Sequence, residues 1–357
     1  MPPSPAAESR LPFWAWVALP VLAAVWLRVR GITGPEPFTD EGANILTALD
    51  PRVCEAFEPL AQGRPWLVWL FRPAGWFPTE TLAVARLMSA GAGLLTMTAL
   101  GWTLRRLGGR AVALAGLWLW AVLPLAVWHE RLALQDPFVT ALLAGATALL
   151  VAGAGDANRR PWPWLGAGGL FGAAFLLKIS AVLALPWLGI FYLALQLTAA
   201  RPGFDRRLAF MALGALLPVL TLGTDLLRIG SRLDRYDALP SLAGNGLVAS
   251  ATGRLATWLG WYAGYGGWPL LLLLLVAAGL AVRFRQWLAL GCAAGWLLSV
   301  LLAGVVYHNG YARYALPEQL PLVLFLALAL GKSSRARIIG LILLVPLARW
   351  GFIAWQI

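Results

Sequence analysis

Residues 81–110 read TLAVARLMSAGAGLLTMTALGWTLRRLGGR, and this stretch decides the fold. Thr81 to Thr103 is an apolar run of span length, since a helix rising about 1.5 Å per residue needs roughly 20 residues to cross a hydrocarbon core. It stops at Leu104-Arg105-Arg106-Leu107-Gly108-Gly109-Arg110, a tight turn with three arginines, and a further apolar run from Ala111 to Trp128 follows at once. Span, basic turn and span is the pattern of a membrane hairpin whose turn faces the cytoplasm.

Outward from that hairpin the pattern repeats. Upstream, a polar, Pro-rich lead at residues 1–10 is followed by a first span from Leu11 to about Arg28, with Trp14, Trp16 and Trp26 near its ends. No small-residue cleavage site follows it, so it is expected to be retained. Downstream, a fourth span reaches about Ala152, before Arg159-Arg160. Leu165 to Lys178 and Ala181 to Leu197 then form an outward and inward pair with Lys178 at the outer hinge. A seventh span covers Leu208 to Leu227. Later ones are expected at Pro269 to Val282, Trp287 to Val306, Leu320 to Leu330 and Ile338 to Trp355, separated by basic turns at Arg283-Phe284-Arg285 and Lys332 to Arg337. The expectation is an all-α polytopic membrane bundle of about eleven spans forming one domain over residues 1–357, with the N-terminus inside and the C-terminus outside.

Composition agrees. Hydrophobic residues make up 60% and charged ones 12%, and the mean hydropathy is +0.73, which excludes an ordinary soluble globular chain. The net charge of +12 would suggest nucleic acid in a soluble protein. Here the arginines cluster between apolar runs, so the charge reads as topology and no nucleic-acid partner is expected. Cys54 and Cys292 fall in an outer loop and inside a span, which makes neither a disulfide nor redox chemistry an expectation.

The acids are unevenly distributed. On this topology only Glu8, Asp156 and Asp205 of the 16 lie inside. Two long outer segments hold most of the interest. The first, Gly31 to about Pro78, carries Phe38-Thr39-Asp40-Glu41-Gly42-Ala43, then Ile45, Ala48 and Leu49 at helical spacing, and then the short apolar stretch Leu67 to Phe71. Both read as helices lying at the membrane interface. The second, Arg228 to Gly267, carries Asp234, Asp237, Arg254 and the aromatic group Trp258, Trp261, Tyr262, Tyr265 and Trp268, which reads either as an interfacial belt or as a groove for an acceptor or lipid.

Neither a His or Cys cluster with metal-ligand spacing nor a phosphate-cradling glycine loop is present. What remains is a set of ionisable groups at one membrane face: Asp40, Glu41, Arg64, Arg86, Glu130, Arg131, Asp136, Lys178, His308 and Arg313. Each is expensive there unless it has a partner or a task. Lys178, one of only two lysines with Lys332, reads as a snorkelling end residue or as a point charge for a phosphate. Arg313, between Tyr311 and Tyr314, has the same two readings. His129 and His308 read as interfacial polar residues able to relay a proton.

In their order these motifs resemble the polyprenyl-phosphate-sugar-dependent glycosyltransferases of the GT-C fold, the mannosyltransferase-like and aminoarabinose-transferase-like members above all. Asp40-Glu41 lies in the first outer loop, Ala85-Arg86-Leu87 opens the second span, and Arg131-Leu132-Ala133-Leu134-Gln135-Asp136-Pro137 is similar to the family's second acidic turn. Gly172 to Lys178 resembles its Lys-bearing hinge, followed by Pro186, and Arg313-Tyr314-Ala315-Leu316-Pro317 its late Arg-Tyr turn, followed by Pro321. Residues 11 to 200 carry the likeness best, and the chain is expected to lack the soluble outer domain of some members.

The resemblance implies transfer of a sugar from a polyprenyl-phosphate carrier to an acceptor hydroxyl on a lipid, glycan or protein, with inversion, at the outer face. It implies Asp40 as base and Glu41 as the acid that positions the acceptor. Asp136 would support the acceptor or hold a divalent metal, whose identity is open, and Lys178 and Arg313 would hold the phosphate. Arg131 and Arg64 complete the implied substrate-binding set. The rival readings are a secondary transporter, for which no inverted repeat is visible, and a non-catalytic partner in envelope biogenesis.

Overall fold

The computed structural model describes residues 13–50, 52–54, 64, 66–155, 160–198, 204–222, 247–306, 312–331 and 334–356, and among these there is helix and turn but no strand. The hairpin read from residues 81–110 is there. Helix α4 runs Thr81–Gly108 and α5 runs Arg110–Val122, joined at Gly109, whose φ of 84° turns the chain. Before them come α1 (Phe13–Val29), α2 (Thr39–Leu49) and the single turn α3 (Leu67–Leu70). After them come α6 (Pro124–His129), α7 (Asp136–Gly155), α8 (Trp162–Leu177), α9 (Leu185–Thr198) and α10 (Phe204–Val219). The last are α11 (Leu247–Arg283), α12 (Trp287–Val306), α13 (Gln319–Gly331) and α14 (Ser334–Gln356).

Four of the described helical segments are long and apolar enough to cross a membrane: Thr81–Gly108, Asp136–Ala154, Ile179–Thr198 and Leu255–Arg283. Shorter apolar helices at Phe13–Val29, Arg110–Val122, Trp162–Leu177, Trp287–Ala303 and Gln319–Gly331 stand beside them. Every residue of α13 from Gln319 to Leu330 is buried. A helix apolar on all sides belongs in the middle of a bundle, and α13 packs against α4, α5, α11, α12 and α14. The periphery carries exposed leucines and tryptophans such as Trp14, Leu22, Leu217 and Leu275, as a lipid-facing surface requires.

Close helix contacts use missing side chains. A Cβ on Gly168 or Gly172 of α8 would run into the backbone carbonyls of Met211 and Ala215 on α10. The two backbones therefore touch, which is how helices associate where lipid supplies no hydrophobic drive.

Three expectations need correction. The span expected from Ala111 to Trp128 breaks at Leu123 (φ −63°, ψ 115°), because a residue before proline is pushed out of the helical region, and Pro124 starts α6. The outer segment expected up to Gly267 is helical from Leu247 and merges with the following span across a kink at Gly267 (φ 56°). Trp258 and Tyr262 are buried in the bundle, with the Trp296 indole N–H donating to the Tyr262 hydroxyl at 3.1 Å, so only Trp268 keeps the exposure of an interfacial belt. Finally, the apolar faces of α2 and α3 are turned in part onto protein, with Leu46, Leu49 and Trp69 left exposed. Ile45, Ala48, Leu67 and Phe71 bury against Ala74, Ala85 and Ala133 in a second small core beside the main one. The lead at residues 1–10, Asp234, Asp237, His308, Tyr311 and Lys332 lie outside the described residues.

Candidate active site

The site is built on one buried strut. Glu41 stands in the first turn of α2, where a carboxylate is favoured by the helix dipole, and it has no exposure at all. Its Oε1 accepts from the Arg86 Nε at 2.8 Å and the Ala133 N–H at 2.6 Å. Its Oε2 accepts from the Arg86 Nη2 at 2.8 Å and returns to the Phe38 N–H at 2.9 Å, half of a capping box. Arg86 in turn donates to the carbonyls of Ile32 (2.7 Å) and Pro35 (3.1 Å). One bidentate pair thus ties together α2, α4, the segment after α1 and the turn before α7. Asn44 adds to it, donating to the Ala133 carbonyl at 3.1 Å and accepting from the Gln135 Nε2 at 2.8 Å. Both oxygens of Glu41 are therefore used inside the protein.

With its neighbour anchored, Asp40 projects the other way and keeps 30% exposure. It forms an ion pair with Arg313, which rides on a turn of 3₁₀ helix at Ala312–Ala315 just before α13. Arg313 also lies over the Phe38 and Tyr314 rings, at 5.5 and 5.1 Å from their centroids. A second pair stands alongside. Lys178 leaves the helical path at the end of α8 (φ −161°, ψ 118°), and its Nζ reaches Asp136 Oδ1 at 2.7 Å. The same ammonium sits 4.1 Å from the Tyr314 centroid. Tyr314 is thus shared by two cations, and through it the pairs Asp40–Arg313 and Asp136–Lys178 form one constellation. The hinge is held from outside by the Trp66 N–H, which donates to the Leu176 carbonyl at 3.1 Å. That brings half-buried Arg64 close enough for its charge to act on Lys178.

The constellation borders a cavity of about 980 Å³ lined by Glu36, Phe38, His129, Arg131, Tyr265 and Arg313 among others. Arg131 is buried, and its Nη2 donates to the carbonyls of Arg30 (3.1 Å) and Gly31 (3.0 Å). His129, expected at the interface, is buried and lines the cavity, its Nδ1 lying 2.9 Å from the Leu125 carbonyl. A carbonyl only accepts, so Nδ1 carries the proton.

Two buried residues, Arg28 and Glu318, were not among the candidates read from the sequence. Arg28, at the end of α1, pairs with Glu130 and donates to the carbonyls of Trp120 and Ala121, both at 3.1 Å. A Cβ on Gly93 would occupy the place of the Glu130 carboxylate, so a glycine is what admits the pair. Glu318 is buried on the turn before α13, and its Oε2 has no hydrogen-bond partner among the described residues. Burial pushes its carboxyl up to about 8, so it is protonated and uncharged at neutral pH. The signal for both was an ionisable residue at the edge of an apolar run.

Among the described residues no group of three or more His, Cys, Asp and Glu is placed to hold a metal ion. Asp40 and Asp136 are each engaged by a cation, so the described residues do not by themselves form the donor set a divalent metal would need.

The solved structures on which this helical bundle superposes carry the GT-C fold. ArnT from Cupriavidus metallidurans, solved bound to undecaprenyl phosphate, matches with a TM-score of 0.67 at 17% identity over 92% of this chain and 62% of its own length. The Archaeoglobus fulgidus oligosaccharyltransferase, solved with Zn and sulfate, matches with a TM-score of 0.59 at 15% identity over 95% of this chain and 52% of its own. The chain therefore spans less than two thirds of these proteins. Residues 63–222 match the family model of the dolichyl-phosphate-mannose-protein mannosyltransferases. No curated protein sequence matches the chain.

Proposed function

We propose that this chain is a cell-membrane glycosyltransferase that moves a sugar from a polyprenyl-phosphate carrier to an acceptor hydroxyl with inversion. The observation that carries the reading is the pair of ion pairs joined at Tyr314 beside the 980 Å³ cavity. An anionic phosphate competes with carboxylates for Lys178 and Arg313. Its arrival draws Arg313 away from Asp40 and leaves that partly exposed carboxylate ready to accept a proton. The match to mannosyltransferases and the carrier phosphate bound by the ArnT structure support this choice of donor.

The reaction then balances on these side chains. The acceptor O–H gives its proton to Asp40 while its oxygen forms a bond to the anomeric carbon from the face opposite the phosphate. The bond from that carbon to the phosphate oxygen breaks and its electron pair leaves with the phosphate, where Lys178 and Arg313 stabilise the added charge. Arg131 and Arg64 add positive potential around the site. Glu41, spent on Arg86, holds Asp40 in place and takes no part in proton transfer.

Lys178 supplies the test. Only the protonated amine attracts phosphate. Burial is the largest influence on it; Asp136 pulls it up, and the charges of Arg64 and Arg313 push it down, leaving it at about 7. A sugar-phosphate diester keeps one negative charge across this range, so pH changes only the protein. Donor binding is expected to be strong below about pH 7 and to weaken as Lys178 deprotonates, with ionisation of Glu318 near 8 adding to the fall. Titration of a polyprenyl-phosphate sugar between pH 5.5 and 9 measures this. Lys178→Met and Arg313→Met should each weaken binding about tenfold or more at low pH, as loss of a charge-assisted contact does. Lys178→Met should also remove the limb at about 7. Unchanged affinity in both variants would take them out of the site.

A further inference from the structure

At the end of the bundle away from Asp40, α1, α5, α13 and α14 leave a second cavity of about 280 Å³. Helix α4 gives the direction, since it begins beside the Arg86–Glu41 strut and ends at Arg105-Arg106. The cavity is walled by Trp16, Leu114, Trp118, Leu330 and Leu344, and among the described residues Arg337 at the start of α14 is the one charged residue lining it. The Arg337 Nε is buried and has no acceptor among the described residues. A buried guanidinium nitrogen without an acceptor is uncommon and points to a missing partner. Further cations stand near: Arg110, adjoining the lining residue Ala111, and Arg105 lie over the Phe13 ring at 5.6 and 4.8 Å.

An apolar slot that ends on a guanidinium at a membrane face calls for a ligand with a hydrocarbon tail and an acidic head. We propose that this groove binds one anionic phospholipid of the leaflet opposite Asp40, with an acyl chain in the slot and its phosphate on Arg337 beside Arg110. The charge complementarity favours an anionic lipid over a zwitterionic one. The position favours a bilayer lipid over the carrier, since Lys178 and Arg313 lie at the other end. Nothing in this site depends on the proposed transfer reaction.

Native mass spectrometry of the purified full chain, exchanged into detergent with equal amounts of phosphatidylglycerol, phosphatidylcholine and undecaprenyl phosphate, tests it. One phosphatidylglycerol should remain bound where phosphatidylcholine does not. Arg337→Gln should lower its retention about tenfold, and Arg337→Lys by less, since the charge survives without the planar donors. Ala115→Phe, which fills the slot and leaves every arginine in place, should abolish retention. The proposal fails if phosphatidylglycerol and phosphatidylcholine are retained equally, if undecaprenyl phosphate displaces both, if the protein holds no lipid but dimerises through this face, or if Ala115→Phe retains as much lipid as the parent.

Discussion

Asp40→Asn is expected to fold, insert and bind the lipid donor, and to lose turnover by on the order of 100- to 10,000-fold, the usual worth of a positioned general base. The substitution keeps the size of the side chain and leaves an amide oxygen near Arg313, but the amide cannot accept the acceptor's proton. Because Asp40 is partly exposed and its backbone is set by Glu41 next door, the fold does not depend on it. Single-turnover transfer with bound donor separates this chemistry from binding. Near-normal turnover would move the base to another carboxylate, with Asp136 the next to test.

Glu41→Gln is expected to act on the other side of that divide, on the fold. It leaves the Arg86 guanidinium in the protein interior with a neutral neighbour, and removing one partner of a buried pair costs about 3–5 kcal/mol. The cost falls on the junction of α2, α4 and the Ala133 turn, so thermal unfolding in detergent should drop and Asp40 should lose its position. Arg86→Met should do comparable damage. The double variant Glu41→Gln/Arg86→Met should be less damaged than the sum of the two singles, because no charge is then left alone. A Glu41→Gln protein as stable as the parent and defective only in turnover would return Glu41 to the chemistry.

These two adjacent acids also mark what a sequence can and cannot disclose. The hairpin at Arg105-Arg106, the apolar helices and the acidic outer turn were legible because length, apolarity and arginine placement are local properties. The order Asp40, Arg86, Asp136, Lys178, Arg313 pointed to a shared site, and the fold brings Asp136 to Lys178 and Asp40 to Arg313. The division of labour between Asp40 and Glu41 was hidden. It is decided by partners at positions 86 and 133, and no local pattern encodes which carboxylate turns inward. The Arg28–Glu130 pair was hidden for the same reason, its members lying 102 residues apart. The helix before Gly267 was readable in principle. Trp258, Trp261, Tyr262 and Tyr265 follow the i, i+3, i+4, i+7 spacing of one helical face, but interleaved glycines and polar residues made the stretch look like a loop. Glu318 drew no reading from the sequence, because only the packing of α13 into the centre of the bundle buries it.

The central claim is that the charged chamber transfers a sugar from a polyprenyl-phosphate carrier. The purified chain in lipid, given a panel of polyprenyl-phosphate sugars with acceptor lipids, glycans and peptides, should release polyprenyl phosphate from at least one donor in step with the appearance of a glycosylated acceptor, and Asp40→Asn should not. Donors that bind and remain intact with every acceptor, or a sugar phosphate carried across the membrane unchanged, would contradict it.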